Sequence, residues 1–359
     1  MQTKMTSTTP DAFNAPLRDR AIRRLAEYAR ASQADATRRA HMGDVMRFAM
    51  WAASQVGAEV PGLPRMPRGA SVDALIARER QVADIVAAYI PSSPGAVLGW
   101  VESLDAAGRA PSTIRRYVSS LAAVHRMMGH TSPVDDAVRR VLKGHQRMKV
   151  EQGWRVREAA PLLAADALRI VGAMDRKAPQ GARDASVVLV GLATGMRRSE
   201  LAALRMGDVM REERGYVLTI RRSKTDQVGE GREVTFTRGR RATCPVRALD
   251  AWLELAGEVE DGAPVWCQIG RWGDVRRQSS ISGKSVDGIL RRAAVAAGYE
   301  RGTFSAHSLR AGHVTARAIA GDSDSAIMDS TGHRSTTMLR RYDRAAKRFR
   351  HDSTGSVGL

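Results

Sequence analysis

The chain has 359 residues, more than a single domain usually holds, and carries 57 Lys plus Arg against 38 Asp plus Glu, a formal net charge of +19. That balance, with a sequence pI near 11, favours a polyanion through counterion release and makes nucleic acid the leading partner. No run of about 18 apolar residues occurs, and residues 1–16 lack the apolar core of a signal peptide, so the expectation is a soluble, cytoplasmic protein with no membrane partner.

Residues 1–16, rich in Ser, Thr and Pro, read as a flexible tail. From 17 to 147 the pattern is all-helical. Ala34 to Val56 carries Met42, Val45, Phe48, Ala49 and Ala52 at helical spacing, and Val97 to Leu104 repeats the theme. GLPRMPRGA (Gly62 to Ala70) interrupts the helices with two prolines and two glycines, and Ser71 is suited to cap the helix that follows. After Pro111 and Ser112, the segment Thr113 to Met128 puts Ile114, Tyr117, Val118, Leu121 and Val124 on one stripe. Arg115 and Arg116 fall beside that stripe, either as an ordinary solvated face or as paired DNA contacts.

The stretch KGHQRMKVEQGWRVR (Lys143 to Arg157) is basic and short of aliphatic residues, so the domain boundary is placed here, with 148–160 as the linker. Lys143, Arg147 and Lys149 are candidate contacts to a phosphate backbone; a plain solvated linker is the alternative.

A second domain is expected over 161–348, mostly helical with one small antiparallel sheet. It opens with a helix from Pro161 through Met174 and a more apolar one from Asp184 to Ala193. A third is read over RRSELAALRMGDV, where Leu201, Leu204 and Val209 bury a face. VLTI (217–220) and EVTF (233–236) read as strands joined by RRSKTDQVGEGR, which contains Arg222 and Lys224. Helices are then expected to continue through Ala346, with 349–359 as a tail.

Within this domain the chemistry-bearing residues recur in short motifs. Arg197 in GMRRSEL starts a helix, and a guanidinium there can give two parallel hydrogen bonds to a phosphate, with Glu200 three residues on to orient it. His307 and Arg310 in HSLR share a helical face, and His333 follows Gly332 in GHRS. His313 keeps the same spacing as the HSLR pair and reads as a packed or capping residue. Tyr342 in LRRYDR comes nine residues after His333; its phenol, with an ordinary pKa near 10, needs deprotonation help to act as a nucleophile. The three histidines have no HExxH pattern or carboxylate cluster, so no metal site is expected. Cys244 and Cys267 lack ligand spacing and read as structural, with a disulfide between them left open.

Taken in order, Arg197, Lys224, His307 with Arg310, His333 and Tyr342 resemble the tyrosine recombinase (phage integrase) family. All six positions of the family's catalytic order have a counterpart. The resemblance implies a helical core-binding domain and a mostly helical catalytic domain that form a C-shaped clamp on DNA. It implies that Tyr342 is the nucleophile, that Arg197 and Arg310 clamp the phosphate, and that His307 and His333 assist. Lys224 would protonate the leaving 5′ oxygen. The broken bond's energy would be kept in a 3′-phosphotyrosyl link, so no metal or nucleotide cofactor is implied. The implied partners are double-stranded DNA with inverted-repeat sites and a homotetramer on two duplexes, monomeric in free solution, with a short helix over AAKRFR whose Phe349 docks on a neighbour. A type IB topoisomerase-like enzyme and a catalytically silent DNA-binding accessory protein are the alternatives.

Overall fold

A computed structural model describes residues 35–62, 72–155, 160–221, 231–239, 242–333 and 335–336. The expectations for Arg222, Lys224, Tyr342 and Phe349, and for both tails, lie outside them. The chain divides into two compact units, Met1–Val156 and Arg157–Leu359.

The first unit contains helices α1 (Asp35–Gln55), α2 (Val72–Ala87), α3 (Pro94–Ala106), α4 (Pro111–Met127) and α5 (Asp136–Glu151). Proline at the first position starts α3 and α4, where its fixed φ suits a helix and its missing N–H costs nothing. Ser93 and Asp135 cap α3 and α5 by accepting from the amides of Ala96 and Val138. The apolar stripe of α4 closes on α1 and α3, where Trp100 meets Phe48 edge-on at 5.1 Å and stacks on Tyr117 at 5.8 Å. The basic stretch expected to form a linker is helical as far as Glu151: Asp135 caps it, Val138 anchors it in the core, and its long straight-chain residues favour a helix.

The second unit is built around α7 (Pro179–Thr194), whose residues from Ala182 to Gly191 are all buried. Before it comes α6 (Ala164–Gly172), and after it a short α8 (Arg198–Ala203). The helix expected over RRSELAALRMGDV stops at Ala203, because Leu204 turns extended and the Asp208 carboxylate accepts from the Arg205 amide at 2.9 Å to close a 3₁₀ turn, Met206–Asp208. A three-stranded antiparallel sheet follows in the order β1-β2-β3, from Val209–Glu212, Gly215–Ile220 and Arg232–Thr237. Leu218 pairs with Val234, which places the apolar alternation of β3 on the core.

Then come α9 (Pro245–Ala256), a hairpin of β4 (Cys267–Ile269) and β5 (Val275–Ser280), and helices α10 (Gly283–Ala296), α11 (Ala306–Ala320) and α12 (Asp324–Thr331). The β4–β5 hairpin interrupts the expected run of helices; β5 is polar along its length (VRRQSS) and carries no apolar alternation to announce a strand. Cys244 and Cys267 are buried free thiols. Among the described residues, no helix is long and apolar enough to cross a membrane.

Candidate active site

The site begins where α7 ends. Gly195 caps the helix in the left-handed region at φ 61°, and a Cβ there would lie 2.6 Å from Cδ2 of His313. Glycine therefore serves both the turn and the close approach of the imidazole. The chain then runs extended into Arg197, the N-cap of α8. Glu200, buried one turn on, accepts from the Arg197 amide at 2.9 Å through Oε2 and from its Nη1 at 2.7 Å through Oε1. The carboxylate thus caps the helix and fixes the guanidinium together.

The same carboxylate serves a second cation. Arg232, at the start of β3, donates from Nη2 to Glu200 Oε2 at 3.1 Å and from Nη1 to the Ser330 carbonyl at the end of α12. Burial pushes its pKa down, the Glu200 carboxylate pulls it up, and the neighbouring Arg197 lowers it again. Sequence reasoning missed Arg232. The available signal was its phase: Arg232, Val234 and Phe236 share one face of β3, so a cation stood on the strand's inward side.

From α11, buried Arg310 donates to the Gly195 carbonyl at 2.8 Å, while Arg197 donates from Nη2 to the Gly332 carbonyl at 3.3 Å. The turn at Gly195 and the turn at Gly332 are thereby braced against each other. His307 lies one turn before Arg310 with its surface exposed. His313, one turn after it, is packed beneath: Nδ1 is 3.0 Å from the Leu192 carbonyl and Nε2 3.3 Å from Ser330 Oγ. Burial, then the Arg317 and Arg310 charges, lower its pKa to about 4 against one favourable backbone hydrogen bond.

His333 follows α12 through Gly332, which holds φ 66°. It is buried, and its pKa is pushed down to about 3 by desolvation first and then by the positive charges of Arg310, Arg197, His307 and Arg232. The structure thus brings together Arg197, Glu200, His307, Arg310 and His333 from three separated stretches, with Arg232 added. Among the described residues, one carboxylate among three guanidiniums leaves a net positive pocket, suited to a phosphate oxyanion. Among the described residues no group of His, Cys, Asp and Glu has the arrangement to hold a metal ion.

In the first unit, Arg115, Lys143 and Arg147 line one groove between α4 and α5. Arg116 turns instead toward α1, donating to buried Asp44 at 2.6 Å and lying over the Tyr117 ring at 4.8 Å. Lys149 bonds to Asp105 of α3 at 2.6 Å, beside His145 on the same carboxylate at 3.0 Å. Both contacts lower the Asp105 pKa.

A family model described as the phage integrase family matches residues 161–348. The integrase/recombinase XerD homolog of Selenomonas ruminantium is 30% identical over 258 residues, covering 70% of this chain and 74% of that protein. Recombinase Cre of Escherichia phage P1 is 25% identical over 269 residues, covering 71% of this chain and 77% of Cre. In fold, the chain is similar to the XerH site-specific recombinase solved on a palindromic difH substrate in a post-cleavage complex, with a TM-score of 0.54 and 16% identity, over 90% of this chain and 97% of that one.

Proposed function

The chain belongs to the phage integrase family and is a tyrosine site-specific recombinase; from that premise we propose that it cuts and rejoins DNA through a 3′-phosphotyrosyl intermediate and a Holliday junction. The observation that carries this reading is the convergence of Arg197, Arg310 and Arg232 around His333, with the Glu200 carboxylate paired to Arg197 and Arg232. Such a pocket is organised before substrate arrives, and fixed donors stabilise charge that develops on a phosphorane more effectively than reorienting water does.

In this mechanism Arg197 and Arg310 hold the nonbridging oxygens of the scissile phosphate. The Tyr342 oxygen attacks phosphorus while its proton passes toward His307, and the bond to the 5′ oxygen breaks as Lys224 protonates that oxygen. A 5′ hydroxyl from a second duplex reverses the step and releases the tyrosine. Four copies assemble on two inverted-repeat sites from monomers in the cytoplasm, with the segment around Phe349 docked in trans. Arg115, Lys143 and Arg147 on the α4–α5 groove track the phosphate backbone, with Arg116 and Arg222 as further contacts, while Lys149 is held back by Asp105.

The test is strand exchange between two differently labelled duplexes that contain the inverted repeats nearest the chain's own coding region. Recombinant joints formed by the wild type and absent with Tyr342→Phe support the proposal. Relaxation of supercoiled plasmid without joints would instead favour a topoisomerase-like activity, and binding with neither would favour an accessory role.

A further inference from the structure

Thr331 is the last residue of α12 and is fully buried. Its hydroxyl lies 2.6 Å from the Ile327 carbonyl one turn back and 2.7 Å from Nδ1 of His333. The turn that creates this juxtaposition is short: Gly332 in the left-handed region lets its own amide and the His333 amide bond back to the Met328 carbonyl, at 2.6 and 3.3 Å. The His333 ring is thereby folded over the end of the helix it follows.

A threonine hydroxyl has one hydrogen to give. A carbonyl can only accept, so at 2.6 Å the Thr331 hydrogen goes to Ile327, and the oxygen keeps its lone pairs for His333. The proton between Thr331 and His333 then belongs to the imidazole. We propose that Thr331 is a positioning residue for His333, accepting from Nδ1–H, locking the ring orientation and tautomer, and leaving Nε2 as the proton-accepting edge.

A chemical consequence follows for the recombinase reading, on which the role of Nε2 rests. Neutral His333 in this tautomer cannot donate to a phosphate oxygen. It does so only after Nε2 takes up a proton, so engagement of the scissile phosphate carries a proton into the site. Among the described residues, the groups that face the ring are Arg197 from the start of α8, Arg232 from β3, and His307 and Arg310 from α11; Glu200 of α8 is a carboxylate paired to two of them. Behind Thr331, Ser330 is held by His313 and Arg317 of α11. Burial first, and the facing charges next, keep the ring neutral before DNA binds, and a bound phosphate offsets the charges.

The experiment is nitrogen-15 NMR of the histidine rings in the full-length free protein at pH 7, with the His333 signals identified by their loss in His333→Gln. The expected result is an Nδ1–H tautomer in the wild type, kept in Thr331→Ser and lost or mixed in Thr331→Val. An Nε2–H tautomer in the wild type, or an unchanged tautomer in Thr331→Val, overturns the proposal. Should Thr331→Val fail to fold, the wild-type and serine spectra decide alone. The second readout is the rate of covalent adduct formation on a duplex the wild type cleaves, expected to fall about tenfold or more in the valine variant and to recover with serine, as when the partner on the far nitrogen of a working histidine is removed. Because the spectra need no DNA, a failure of the recombinase reading leaves the tautomer result standing.

Discussion

Glu200 grips Arg197 through both carboxylate oxygens, one on the guanidinium at 2.7 Å and one on the backbone amide at 2.9 Å. The second contact makes the guanidinium's position a property of the helix start rather than of a free side chain. Removing the carboxylate takes from Arg197 and Arg232 the counter-charge they share. Glu200→Ala is therefore expected to destabilise the second unit by about 3 kcal/mol, the usual scale for breaking a buried pair. Glu200→Gln should keep more of the fold yet lose cleavage. Thermal melts beside adduct assays separate the two, and a cleavage-competent Glu200→Ala would count against the role.

Gly195 is the second sensitive point. Alanine at φ 61° is strained, and its Cβ would press within 2.6 Å of the His313 ring. A loss of about 1–3 kcal/mol is expected, together with reduced cleavage because the displaced turn carries Arg197 and the carbonyl that Arg310 holds. Denaturant unfolding measures the first effect.

The pH response has a defined sign. His313 and His333 have folded pKa values of about 4 and about 3, below the unfolded value of 6.5. The unfolded chain therefore binds more protons between those values, so stability is complete above pH 6.5 and declines as pH falls toward 4 and 3. Each histidine gives up about 1.4 kcal/mol for every pH unit below its unfolded pKa. Melting midpoints measured from pH 7.5 to 5 should fall, and His313→Gln should flatten that dependence after allowance for its own packing loss. A midpoint that rises on acidification would contradict the burial assigned to these rings.

Salt dependence distinguishes the cations of the first unit. Arg115, Lys143 and Arg147 line the α4–α5 groove, whereas Lys149 is tied to Asp105. Alanine at each of the first three is expected to reduce the slope of log K against log salt by about one. Lys149→Ala should leave the slope nearly unchanged. Equal effects at all four positions would mean that Lys149 leaves its partner on DNA.

Much of this was legible in the chain. The α4 stripe of Ile114, Tyr117, Val118 and Leu121 is the observed core face, because amphipathic periodicity is a local signal that tertiary packing reinforces. Arg197 and Glu200 at three-residue spacing carry their capping geometry in the motif itself. Arg232 was legible only in its phase on β3; its partners Glu200 and Ser330 lie 32 and 98 residues away, so the sequence does not say what the cation meets. The same holds for Thr331, whose meaning depends on the left-handed turn at Gly332. The truncation of α8 and the β4–β5 hairpin were missed for a related reason: carboxylate capping at Asp208 and a polar strand leave no apolar period to read.

The central claim is that the pocket around Arg197, Arg310 and His333 presents a DNA phosphate to Tyr342. The most direct measurement is mass spectrometry of the tryptic peptide from a covalent adduct trapped on a nicked duplex. The account predicts a deoxynucleotide 3′-phosphate linked to Tyr342, and loss of the adduct in both Tyr342→Phe and Arg310→Ala. A linkage to any other residue, or an adduct that persists in Tyr342→Phe, would contradict it.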